Sequence, residues 1–188
     1  MGLPAFVPAA FTAALLWACT ALPVPQPKAA EPVGGQFPVR LDYGTSCGIA
    51  GLRESTLRRV NAARAAARSC GRRQMQPAPP LEWDDALFSA AARHSQDMAR
   101  RDYFNHASPD GKRVGARLLA EGYRWRSVGE NIAGGDRSVE TVVRGWMDSA
   151  GHCANIMNAE FTEIGLACVE RKGSTWGTYW TMVLGRPR

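Results

Sequence analysis

Lysine is nearly missing from this chain of 188 residues: Lys28, Lys112 and Lys172 are the only three, so 20 of its 23 basic side chains are arginine. Histidine is as scarce, with His94, His106 and His152 alone. There is no CxxC pair, which excludes a zinc ribbon, a thioredoxin-type site and a haem-attachment motif. There is no HExxH and no GxxxxGK, which excludes the helix-borne zinc protease signature and a phosphate loop at Gly134-Gly135. No internal repeat is present, so a solenoid is excluded. What remains is 45% hydrophobic and 21% charged, with a net charge of +6 and a pI near 9.4. That is the profile of a globular domain. Arginine excess suits pairing with carboxylates and phosphates. Without a recognisable motif it does not point to nucleic acid, and no nucleic-acid partner is expected.

Residues 1 to 27 carry no charged side chain. Within them Ala9–Ala18 is an apolar stretch too short for a bilayer of about 30 Å. It has the length of a signal h-region, although the usual basic n-region is absent. Residues 1–19 therefore read as an export signal. Leu16-Trp17-Ala18-Cys19 resembles a lipobox, in which Cys19 becomes a lipidated first residue and a membrane anchor. Simple cleavage near Ala21, discarding Cys19, is the alternative. Both readings take the protein out of the cytoplasm, to a periplasmic, secreted or lipid-anchored state in which disulfides persist. Residues 20–46 are rich in Pro and Gly and read as an extended tether. Residues 47–188 are long enough to bury about two-thirds of their unfolded surface in one core. A monomer is expected.

Apolar spacing predicts a helix over residues 52 to 69, with Leu57, Val60, Ala63 and Ala67 on one face. Arg58, Arg59, Arg64 and Arg68 then form a solvated face, with contact to anionic lipid or polysaccharide as the alternative, and Gly71 stops the helix. Asp84 or Asp85 caps a second helix reaching Arg101. On it Leu87, Ala91, His94 and Met98 share one face, which makes His94 a packed histidine rather than a ligand. Turn residues place His106 in a loop. A short helix follows over 113 to 121, and Ser138 caps another that carries Val139, Val142, Val143 and Trp146. Residues 163–169 and 175–184, with a turn at 171–174, read as a β-hairpin. Trp83, Trp125, Trp146, Trp176 and Trp180 are expected mostly in the core or on strands rather than as sugar platforms. Helices first and strands last give an α+β class.

His106 and His152 both stand where a ring can enter a cleft, and Glu130 lies between them among small and apolar neighbours. Two histidines with a glutamate can hold a divalent metal such as zinc. Alternatively an ionised Glu130 orients a histidine. Ser108 and Ser149 lie near His106 and His152 in sequence, but neither sits in a GxSxG elbow, so a serine hydrolase is disfavoured.

These residues carry a resemblance. His106 with Ser108–Gly111 (SPDG), Gly129–Ala133 (GENIA), Trp146–Met157 (WMDSAGHCANIM) and Phe161–Gly165 (FTEIG) occur in the order found in bacterial CAP domains. Leu81–Asp84 and His94–Met98 fit as well, so the similarity spans roughly residues 52 to 186. The CAP superfamily, also called the SCP family, comprises cysteine-rich secretory, antigen 5 and pathogenesis-related 1 proteins. The resemblance implies a three-layer α-β-α sandwich with a central antiparallel sheet. It also implies a cleft of two histidines and two acidic residues. His106, His152 and Glu130 match three of these; Ser149 stands where many eukaryotic members carry the second glutamate. Family members are associated with lipid or sterol binding and with protein interaction, and proteolysis has been proposed for some.

The cysteines number five. Setting Cys19 apart leaves four that permit three pairings. Pairing of Cys47 with Cys70 and of Cys153 with Cys168 is expected, the second pinning the His152 loop to the hairpin. Three functions stand open. One is an exported module binding an unknown ligand or partner, such as a lipid or cell-envelope component. A second is a metal-assisted hydrolase with zinc on His106 and His152, and with Glu130 as catalytic base or as a partner that orients a metal-binding ring. The third is a lipid-anchored envelope interaction protein.

Overall fold

The computed structural model describes residues 1–2 and 38–188. The expected signal, Cys19 and most of the tether lie outside the described residues. A single 3-10 turn, Tyr43–Thr45, capped by Asp42, precedes helix α1 (Leu52–Arg64). A small hairpin follows, β1 (Arg68–Cys70) and β2 (Arg73–Met75), then the two-residue strand β3 (Glu82–Trp83). Next come α2 (Asp85–Arg101), α3 (Val114–Ala120), β4 (Trp125–Gly134), α4 (Val139–Asp148) and α5 (Ala150–Ile156). Strands β5 (Glu163–Glu170) and β6 (Thr178–Pro187) close the domain.

The main sheet runs β3-β5-β6-β4. β5, β6 and β4 are antiparallel, and β3 adds a short parallel pairing at the far edge. Side chains alternate across a strand, and the two faces of this sheet bury different helices. Ile164, Leu166, Cys168, Trp180, Met182 and Leu184 pack with Leu52 and Val60 of α1, with the stripe Val139, Val142, Val143 and Trp146 of α4, and with Ile156 of α5. Ala167 and Val183 face Leu87, Phe88 and the alanines of α2, with Leu118 of α3. This is the α-β-α sandwich in an α+β chain.

The second helix begins where its sequence places it, because the Asp84 carboxylate accepts from the Ala86 and Leu87 amides at 2.9 and 2.8 Å. It lies unusually close to the sheet. A Cβ built on Gly165 would come within 2.1 Å of the Phe88 nitrogen, so only glycine admits the helix backbone there.

Three expectations are corrected. The first helix stops at Arg64, not near 69, because the chain turns at Gly71 (φ +60°) into the β1–β2 hairpin. Arg64 is not on a solvated face. It is fully buried, and its guanidinium donates to the carbonyls of Pro79, Ile156, Asn158 and Phe161. Burial lowers its pKa to about 10. Finally, the disulfides join Cys47 to Cys168 and Cys70 to Cys153. The 13-residue helix α1, about 20 Å long, holds Cys47 and Cys70 apart. Cys153 meets the β1–β2 hairpin, in a cluster with Cys70 and Met157. Cys168, deep in β5, meets the segment ahead of α1, where Ser46 bridges to it.

Candidate functional site

The site forms along the outer edge of β4. Sequence periodicity missed this strand, since GENIA mixes glycine and polar residues that strands disfavour. Two of its outward carbonyls are taken by side chains. Asn155 Nδ2 donates to the Glu130 carbonyl at 3.2 Å, and Trp146 Nε1 donates to that of Ile132 at 3.0 Å. α4 and α5 thus approach the strand from one side, and the loop between α2 and α3 approaches from the other.

That loop brings His106 to Glu130. His106 Nδ1 lies 2.9 Å from Glu130 Oε1. The other carboxylate oxygen accepts from Arg117 Nη2 at 2.5 Å. The Glu130 side chain is 4% exposed and that of His106 45%. Burial pushes the Glu130 carboxyl up, but the His106 hydrogen bond and the Arg117 charge outweigh it and hold the pKa below its ordinary value. An ionised carboxylate only accepts, so Nδ1 carries the proton. The Nε2 atom of a neutral His106 then offers a lone pair.

Arg117 was not picked out by sequence, yet it ties the site together. From α3 it donates to the carbonyls of His106 and Lys112 and to Ser108 Oγ, besides Glu130. An arginine on a short helix carries no sequence signal for this. His94 is buried, as its spacing predicts. Its Nε2 lies 2.9 Å from the Asn105 carbonyl, anchoring the loop one residue before His106. Burial lowers its pKa to about 4, so it is neutral near pH 7.

His152 lies on α5, half-buried, with its carbonyl held by Asn131 Nδ2 at 3.1 Å. Its pKa is lowered, chiefly by burial and then by repulsion from His106. Ser149 stands at the junction of α4 and α5, and its hydroxyl makes no capping hydrogen bond to α5. The Cys70–Cys153 bridge clamps the residue after His152 to the β1–β2 hairpin. The segment Gly44–Gly48 (GTSCG) matches GxSxG by spelling, but Ser46 is buried against β5 and Cys47 is bridged. It is not a nucleophile elbow.

Among the described residues no three His, Cys, Asp or Glu side chains come together to hold a metal. Both Glu130 oxygens are engaged, which leaves the two histidine rings as donors. A catalytic zinc takes three protein ligands and a structural one four. Two rings alone fall short of either set, so an ion held there would need further donors from solvent or a bound ligand.

The sequence model of the cysteine-rich secretory protein family, CAP, matches residues 57–184, well over half of the chain. The protein belongs to the CAP family. Among CAP relatives, the uncharacterized protein YkwD of Bacillus subtilis is 42% identical over 104 residues, covering 55% of this chain and 40% of that protein. The crystal structure of an extracellular SCP-domain protein from Bacillus anthracis superposes with a TM-score of 0.51 at 31% identity. It covers 58% of this chain and 34% of that one. An outer surface protein of Borrelia burgdorferi shares the CAP fold at 20% identity and a TM-score of 0.53, over 59% of this chain and 80% of that one. The chain thus spans less than half of the two Bacillus proteins. These CAP neighbours are extracellular or surface proteins, and two disulfides fit an oxidising compartment. No helix among the described residues is long and apolar enough to cross a membrane.

Proposed function

We propose that this protein is an exported ligand- or partner-binding module, using the cleft of His106, Glu130 and His152, rather than a hydrolase. The observation that carries this reading is the double engagement of Glu130. A general base needs an oxygen within reach of the proton it removes. Both oxygens of Glu130 are already bonded, and its side chain is 4% exposed. It acts on this reading as a positioning group that fixes the His106 tautomer. The ligand contacts are then His106 Nε2 and the His152 ring. Export is supported by the uncharged leader and the two disulfides. Attachment through Cys19, to a membrane or to none, belongs to the same proposal and is decided by lipid analysis of the mature chain.

A divalent ion on the two rings is the second reading, favoured by the carboxylate–histidine pair, an arrangement that commonly orients metal-binding rings. Such an ion would complete its coordination from solvent or from a bound ligand. Zinc calorimetry on the exported chain, beside His106→Ala/His152→Ala, separates the two. The binding reading expects no saturable zinc site, together with cleft-dependent binding in a screen of lipids and cell-envelope glycans. Saturable one-site binding lost in the double variant establishes the metal reading instead. No ligand from the screen and no zinc binding overturns both.

A further inference from the structure

The hairpin loop between β5 and β6 holds a feature that the cleft does not use. Trp176, expected on a strand, sits in this loop and is 44% exposed; Phe104 is 37% exposed. Their rings lie 5.1 Å apart between centroids. Trp176 is seated on bare backbone: a Cβ on Gly134 would come within 2.9 Å of its Cγ and Cδ2. Large aromatic groups left together at a surface mark a contact site.

The indole lines a cavity of about 410 Å³ with Arg137, Glu170, Lys172, Thr178 and Gly135. That volume lies within the roughly 300–1,000 Å³ of small-molecule sites. Arg137, Lys172 and Glu170 are exposed, and none has an ion pair among the described residues. The Thr178 hydroxyl donates to the Asp136 carbonyl at 2.8 Å. The wall therefore combines one amphipathic ring, two cations and one carboxylate.

We propose that this cavity is a carbohydrate subsite that takes a carboxylate-bearing pyranose chain. A pyranose has an apolar C–H face, which an indole can cover, and a hydroxyl rim that needs polar partners. Arg137 and Lys172 pair with the acid group, and Glu170 accepts from hydroxyls. A protein partner fits less well, because the cores of protein interfaces are depleted in charged residues. The inference does not depend on the His/Glu cleft having a ligand.

The test is calorimetry of the exported chain with a uronic-acid hexasaccharide and a neutral glucose hexasaccharide. The acidic hexamer is expected to bind more tightly. Trp176→Ala weakens it roughly tenfold, whereas Trp176→Phe, which keeps a ring, stays within about threefold. Arg137→Ala/Lys172→Ala removes the preference for the acidic hexamer. Arg126→Ala, an exposed arginine near the other end of β4, leaves it in place. Melting curves of each variant confirm folding. Equal affinity of the wild type and Trp176→Ala overturns the proposal. So does binding of neither hexamer at millimolar concentration, which leaves the aromatic pair to a protein partner.

Discussion

The Arg117 guanidinium and the Glu130 carboxylate meet at 2.5 Å, with only 9% and 4% of their side chains exposed. At that depth neither charge can turn to water when its partner is lost. The same guanidinium holds the carbonyl of His106. The pair is thus both a packing element and the hinge pin of the candidate cleft.

Arg117→Leu should lower stability by about 3–5 kcal/mol, the usual cost of stranding one member of a buried ion pair. Arg117→Lys should lose less, since it keeps the charge but not the fork of donors. Urea denaturation gives the midpoints. A midpoint for Arg117→Leu equal to wild type would show that the pair contributes nothing.

His94 predicts a pH dependence. Its folded pKa, about 4, lies below the ordinary 6.5. Below pH 6.5 the unfolded chain therefore binds more protons than the folded one, and stability falls with pH. The contribution is complete above about pH 6.5 and lost progressively down to about pH 4, roughly 3 kcal/mol in total. His94→Gln should flatten this part of the profile. An unchanged slope between pH 6.5 and 4 would assign the effect to other groups.

The disulfides predict an asymmetry. Non-reducing peptide mapping should find Cys47 joined to Cys168 and Cys70 joined to Cys153. Each encloses a loop on the order of 100 residues, for which chain-entropy accounting gives roughly 4–5 kcal/mol. Cys70→Ser/Cys153→Ser should speed amide exchange in α5, where His152 resides. Cys47→Ser/Cys168→Ser should leave α5 protected while lowering the melting temperature. Equal exchange of α5 in both variants would separate His152 from its neighbouring bridge.

Much of the fold was legible because local chemistry and tertiary structure agree. Asp84 and Ser138 cap the helices they announce, accepting from the amides of the first turn. His94 follows its apolar neighbours into the core. The cleft residues were legible through ordered motifs rather than periodicity. What escaped reading depends on partners distant in sequence. Arg64 has the same helical surroundings as Arg58 and Arg59, yet it is drawn inward by carbonyls up to 97 residues away. β4 hides its period because Asn131 and Glu130, both polar, are buried on opposite faces. The cysteine pairing obeys the layering of the sandwich, which no spacing along the chain encodes. Trp176 has the composition of a strand residue, but Gly177 at φ +71° delays the strand until Thr178.

The Cys47–Cys168 bridge also settles how force enters the domain. Cys168 belongs to β5, which has β3 on one side and β6 on the other. Tension applied to the chain ahead of Cys47 passes through a covalent link into the interior of the sheet, bypassing α1. A pull from that end therefore loads β5 against β6, its partner over residues 163–170, before it reaches α1.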